Sequence, residues 1–344
     1  MGEDARTDAQ TDARTDAGAD AGLPSGRDAR SDAGVDSRVA ARRVRDAMHV
    51  DALWPRAGGW ADLGDEDVDA VLVGVGTHAT SISATGAHAT PLAVREALAR
   101  FAAHAEGVDL GALRIADAGD AVDPDGDEEA ATALVARAAT RSRLVIVLGG
   151  DNAATVPAAL GAWRGAGVTA ATAGLVTLDA HHDLRNGRSN GSPVRRLVEA
   201  GLDGRRIVQV GIQDFANSAA HARRAAELGI VVISRAAVEE EPAGIVAARA
   251  LDVAAAGRGP VHVDVDVDVV DRAAVPACPA SVPGGISAWR LRELVRALAR
   301  DPRVRSLDLT EVDATADAAD GRTVRLTALC VLEALAGLAE RPRR

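Results

Sequence analysis

Seven short runs rich in β-branched residues recur along the chain, and most of them lead straight into a polar cluster. They are AVLVGVG near residue 70, RLVIVLGGD at 143–151, AGLVTLDAHHD at 173–183, RRIVQVGIQD at 205–214, GIVVIS at 229–234, VHVDVDVDVV at 261–270 and VRSLDLTEVDA at 304–314. Near-continuous Val, Ile and Leu over such lengths suits strands buried on both faces. Alanine-rich stretches with helical spacing lie between them, such as PLAVREALARFAAHA and ISAWRLRELVRALAR. Strands alternating with helices imply βαβ units, so the expected class is α/β with a mainly parallel sheet covered on both faces. Five polar clusters, GGDN, DAHHD, GIQD, DVDVD and EVDA, fall at the carboxyl ends of these strands. Ligands of open α/β sheets bind in the crevice beyond those ends.

Composition sets the boundaries. Residues 1–37 repeat TDA-like and DAR-like units with almost no large apolar side chain. Such a segment buries too little surface to offset the entropy of ordering, so it is expected to be a disordered tail, inert rather than partner-binding. It lacks the apolar core of a secretory signal. Residues 38–344 are expected to form a single domain, with two domains split after His181 as the alternative. Past the tail no apolar run is long enough to cross a bilayer, which argues against a membrane partner. Two cysteines, Cys278 and Cys330, make no disulfide framework, and a cytoplasmic location is the default. A net charge of −11 and 2% aromatics argue against nucleic acid as a partner.

Period two puts Asp264, Asp266 and Asp268 on one strand face. Burying three bare carboxylates is costly, so water, basic partners or metal must compensate. Asp179, His181 and Asp183 alternate in the same way where another strand runs into a loop. Oxygen and nitrogen ligands of this kind suit Mn²⁺ or another borderline divalent ion, and two cations about 3.5–4 Å apart could share bridging carboxylates. Taken singly, each piece has a blander reading: a polar strand end, an edge strand facing water, a glycine turn. All of them at strand ends favour the metal reading.

The ordered motifs SISATGAHATPLAVREAL, GGDN, DAHHD, SNGSPVRRLV, VDVDVVDRAAVPACPASVPGG and EVDATAD resemble the ureohydrolase family of arginases, agmatinases and formimidoylglutamases over roughly residues 70–338. The resemblance implies an arginase-like three-layer α/β/α fold, a dinuclear site that is usually manganese, and a homo-oligomer, trimer or hexamer. It implies that Asp179 and Asp266 bridge two metals, that His181 and Asp268 complete one set, and that Asp183 binds the other ion. Counting back from Pro283-Gly284-Gly285 selects Asp266 and Asp268 and leaves Asp264 outside, with a raised pKa or a hydrogen bond to a ligand. Glu311 matches the glutamate that holds the substrate's amidine or guanidine group, and Asp183 is also a proton carrier.

Two departures from the family pattern stand out. Asn152 replaces a histidine ligand, a weak substitute through its carbonyl oxygen, so the site holds two Mn²⁺ or only one firmly. Asn190 stands where arginases place a proton-shuttling histidine, and asparagine does no acid–base work near neutral pH. Both departures, with RSNGSPVR, QDFANS and DVVDR, are similar to the formimidoylglutamase branch of actinobacterial type. That branch implies hydrolysis of the small molecule N-formimidoyl-L-glutamate to glutamate and formamide in histidine breakdown. Arg185, Arg188, Asn190 and Arg195 are candidates for binding the substrate's carboxylates, with Gln213 and Asn217 weaker. His182 should point into packing. His78 and His88 are candidates at the access loop, His262 lies far from the exit edge, and Cys278 lacks an activating partner. The rival readings are another ureohydrolase acting on a guanidino compound, and a catalytically impaired relative that binds a ligand.

Overall fold

The structure, a computed structural model, describes residues 36–47 and 51–342. The expected tail lies almost wholly outside these residues; its last member, Ser37, opens helix α1 (Ser37–Ala47). In chain order there follow β1 (Ala61–Asp62), β2 (Val68–Val75), α2 (Thr90–Leu98), β3 (His104–Ala105), β4 (Val108–Asp109), β5 (Ile115–Asp120), α3 (Glu128–Thr140) and β6 (Ser142–Gly149). The middle comprises α4 (Thr155–Gly165), β7 (Gly174–Leu178), α5 (Pro193–Glu199), β8 (Ile207–Ile212), α6 (Ala219–Glu227), β9 (Val231–Ser234) and α7 (Arg235–Glu240). Last come α8 (Ala243–Ala254), β10 (Val261–Asp266), α9 (Ala288–Arg300), β11 (Val304–Thr310) and α10 (Arg322–Ala339).

Nine strands form one sheet in the order β1-β5-β2-β6-β11-β10-β7-β8-β9, and every pairing in it is parallel. β3 and β4 make a separate antiparallel pair. Alternate strand residues face opposite layers. Leu72, Ile146, Val263, Val265, Leu307 and Leu309 pack with side chains of α2, α8, α9 and α10. Val71, Val73, Val145 and Val147 pack instead against Ala131 and Val135 of α3 and Ala158 and Ala162 of α4. Leu175 and Ile207 join Trp163, Val194, Leu197 and Ala225 from α4, α5 and α6. The result is the three-layer α/β/α arrangement.

Two parts of the sheet have no apolar signature. β5 reads IADAGD, and its Asp117 is buried. Arg95 of α2 neutralises it through Nε at 2.8 Å and Nη2 at 2.9 Å, with Nη1 reaching Asp120 at 2.6 Å. Burial of that carboxylate depends on a partner 22 residues away in sequence, which no local pattern displays. β1 is two residues long. The VHVDVDVDVV run also ends sooner than its alternation implies. Its strand stops at Asp266, and a single 3₁₀ turn carries Val267–Val269. Asp268 therefore reaches the sheet edge from a turn, not from the strand.

Candidate metal centre

β6, β11, β10, β7 and β8 are consecutive neighbours near the middle of the sheet, so their carboxyl ends meet at one edge. Asp151 and Asn152 follow β6, Glu311 follows β11, Asp268 follows β10, and Asp179 to Asp183 follow β7. Ligand atoms of Asp179, His181 and Asp268 lie within 4.8 Å of one another, and so do those of Asp179, Asp183 and Asp266. The two triads share Asp179. Asp264 belongs to neither.

Backbone N–H groups aim the carboxylates. Asp179 Oδ1 accepts from His181 N–H at 2.6 Å, Asp268 Oδ1 from Ala180 N–H at 3.0 Å, and Asp266 Oδ1 from Asp268 N–H at 2.8 Å. His181 Nδ1 lies 2.6 Å from Asp268 Oδ2. Asp179 and Glu311 are 0% and 4% exposed. Asp183 (φ 53°) and Glu311 (φ 61°) both hold left-handed backbone, a conformation that costs energy for such residues and clusters at functional sites.

The electrostatics are those of buried, like-charged carboxylates packed close together. Burial, then the charges of Asp183 and Asp268, push Asp179 well above the usual carboxylate range. Burial, then Asp268 and Asp179, does the same to Asp266. Burial first lifts Asp183 to about 7 and Glu311 to about 8. Burial opposes ionisation of Asp268, but the adjacent His181 outweighs it and holds that carboxyl below its usual value. Burial disfavours the His181 cation, yet Asp268 and Asp179 raise it to about 12. The donor set fits divalent ions: Asp179 Oδ2 is buried without a hydrogen-bond partner among the described residues, and the oxygen and imidazole ligands match the borderline class that includes manganese.

Several residues singled out in the sequence sit differently from expectation. Asn152 does not offer its carbonyl oxygen to the site. Its Oδ1 accepts from Thr155 Oγ1 at 2.6 Å and Thr310 Oγ1 at 3.1 Å, and its Nδ2 donates to Asp183 Oδ2 at 2.6 Å. An NH₂ group cannot coordinate a cation, so Asn152 supports Asp183 instead. Arg195 is turned away from the cluster, donating to the Arg185 carbonyl at 2.7 Å, to the Gly187 carbonyl and to Glu199. Arg188 reaches Glu128 at 3.1 Å and the Asp125 carbonyl at 3.2 Å. Several of these partners, Thr310, Asp183, Glu128 and the Asp125 carbonyl, are distant in sequence. Arg185 is exposed on the loop after Asp183, and its charge is felt by that carboxyl. Asn190 Nδ2 donates to Glu311 Oε1 at 2.7 Å, beside the Asn152 N–H at 2.9 Å.

The remaining candidates divide. Gln213 is 7% exposed and its Nε2 has no hydrogen-bond partner among the described residues. Asn217 ties the loop, accepting from His182 N–H at 2.9 Å and donating to the Ala180 carbonyl at 2.8 Å. His182 is buried with Nδ1 2.7 Å from Gln209 Oε1. His78 meets Asp125 at 3.1 Å and lies 4.7 Å, ring to ring, from His88. Cys278 is buried, and burial pushes its thiol far up. His262 lies deeper in the sheet, 2.7 Å from Ser306 Oγ and 3.3 Å from Asp308 Oδ2. Asp264 is fully buried opposite Asp308. Burial, then the Asp308 charge, raise it well above the carboxylate range.

A family model described as the arginase family matches residues 68–337. The chain is 33% identical over 281 residues to a formimidoylglutamase of Halalkalibacterium halodurans, covering 77% of this chain and 86% of that protein. It is 38% identical over 287 residues to a formimidoylglutamase of Halobacterium salinarum, covering 79% and 89%. The crystal structure of a formimidoylglutamase from Bacillus subtilis superposes with a TM-score of 0.79 at 27% identity, covering 86% of this chain and 96% of that one.

Proposed function

The chain belongs to the arginase family, and from that membership we propose that it hydrolyses N-formimidoyl-L-glutamate to L-glutamate and formamide. It is a hydrolase of amidine C–N bonds. One observation carries the reading: Asp179, His181, Asp183, Asp266, Asp268 and Glu311 crowd one sheet edge in a chain similar along most of its length to two formimidoylglutamases. The net reaction adds water across the bond between the formimidoyl carbon and the glutamate nitrogen. That carbon leaves as formamide, and the nitrogen leaves as the amine of glutamate.

Asp179, His181, Asp183, Asp266 and Asp268 would hold divalent cations, with Mn²⁺ the ion we assign and two the number the paired triads favour. When bound, such ions supply Lewis acidity and a water whose pKa is near neutral. The rest of the chemistry is assigned to the chain's own groups. Glu311 Oε1 is fixed by two N–H donors, which leaves Oε2 to accept from the substrate's amidine nitrogen. Asp183, held at Oδ2 by Asn152, is the carboxylate we assign to pass a proton to the departing glutamate nitrogen. Arg185, exposed on the loop beyond Asp183, suits a carboxylate of the glutamate half.

A homo-oligomer is part of the proposal, as the family resemblance implies. So is a cytoplasmic location. No helix among the described residues is long and apolar enough to cross a membrane. The test is release of formamide from formimidoylglutamate by Mn²⁺-loaded protein, beside release of urea from arginine and agmatine. Faster release of urea refutes the substrate assignment, and full activity in Asp266→Ala refutes the site.

A further inference from the structure

We propose that Asn190 is a positioning residue that couples the access loop, residues 77–86, to Glu311, so that seating the loop and aiming the carboxylate are one event. The inference rests on the reading of Glu311 as the group that grips substrate. The loop is anchored at both feet. Thr77 Oγ1 donates to the Asp151 carbonyl at 3.0 Å, and Asp125 Oδ2 accepts from the N–H groups of His78 and Ala79 at 3.0 and 3.2 Å. At the far foot Gly86 N–H donates to Asp313 Oδ2 at 2.8 Å. Between the feet, residues 82–84 are exposed, with Ile82 56% exposed. The hydrogen bond that ties this stretch to the body of the protein runs from Ile82 N–H to Asn190 Oδ1, at 3.0 Å.

The other end of the same amide donates to Glu311 Oε1 at 2.7 Å. The amide fits one way round. Flipped, its oxygen would face a carboxylate and its NH₂ would face an N–H, and both contacts repel. A planar amide thus fixes the separation between a loop backbone group and the carboxylate. The neighbouring Gly191 allows the close approach: a Cβ there would lie 2.7 Å from Arg185 Cδ and 3.2 Å from Ile82 Cδ1. Of the two donors that hold Glu311, the Asn152 N–H belongs to the backbone and is fixed by the fold. Asn190 is the donor whose other end holds the exposed loop, so its position and the loop's are linked. Both polar ends of Asn190 are engaged within the protein, one on the loop and one on Glu311.

Coupling is reciprocal, which makes it testable without substrate. Hydrogen exchange of residues 80–86 is measured by mass spectrometry in the wild type, Asn190→Ala, Glu311→Ala and Glu311→Gln. Exchange should quicken about fivefold or more in Asn190→Ala and also in Glu311→Ala, because either change frees the amide that holds Ile82. Glu311→Gln keeps an oxygen acceptor and should stay near wild type. Loop exchange that ignores Glu311→Ala, or that Glu311→Gln fails to restore, overturns the coupling. A kinetic cycle adds a second readout. Asn190→Ala and Ile82→Pro should each lower kcat about tenfold or more, and the double variant should fall no further than the worse single. Multiplying effects overturn the proposal. Wild-type protein that leaves formimidoylglutamate intact refutes the substrate assignment, while the exchange comparison still decides the coupling.

Discussion

Metal-free protein should lose stability as the pH rises across the neutral range. Burial lifts Glu311 from 4.5 to about 8 and Asp183 from 3.8 to about 7. A carboxyl with a raised folded pKa keeps its proton in the fold after the unfolded chain has ionised. The folded state then binds more protons, and stability falls with rising pH. The contribution is complete below about pH 4 and is lost by about pH 8. A displacement of about three pH units corresponds to about 4 kcal/mol, or roughly 10 °C in Tm for a domain of this size. His181 acts in the same direction, since its folded value of about 12 exceeds its ordinary 6.5. Asp268 acts oppositely, but only in acid, because its folded value is lowered. The assay is thermal unfolding of chelator-treated protein at about pH 5.5 and about pH 8.5, repeated with excess Mn²⁺. Added ions should flatten or reverse the slope, because they bind the ionised carboxylates. A metal-free Tm that is level or climbs between those pH values would refute the reasoning.

Three further outcomes follow from named contacts. Asn152→Ala leaves Asp183, Thr155 and Thr310 without partners and should cost about 2–4 kcal/mol of metal-free stability, read from urea midpoints. Arg185→Ala should raise KM about tenfold with kcat little changed, whereas Arg195→Ala, whose guanidinium serves the loop and Glu199, should leave KM alone and cost about 1 kcal/mol. Ile146→Ala, fully buried in a central strand, should cost about 2–5 kcal/mol with an unchanged urea m-value.

The sequence made legible what short-range pattern encodes. Strands buried on both faces read as apolar runs, as β6, β7 and β8 do, while β10 and β11 show themselves through alternate Val and Leu, and polar residues mark the ends of all five. β5 was not, because its buried Asp117 makes sense only beside Arg95. The same limit governed the site. Alternation alone does not tell Asp264 from Asp266 and Asp268; the count back from Pro283-Gly284-Gly285, which the family resemblance supplies, selects the last two. Which way the Asn152 amide faces depends on Thr310, 158 residues away, and where Arg188 goes depends on Glu128, 60 residues away. Such pairings exist only after the sheet has brought distant strand ends together.

The left-handed backbone at Glu311 is held in place by what its carboxylate does. A glycine there would accept φ 61° without strain, but it would take the acceptor from the Asn152 and Asn190 N–H donors and leave the unfolded chain freer, so Glu311→Gly should melt no higher than the wild type when metal is absent, and should be inactive. Laboratory evolution that rewards heat resistance alone would therefore keep this residue. Hardening the protein and preserving turnover make the same demand at this position.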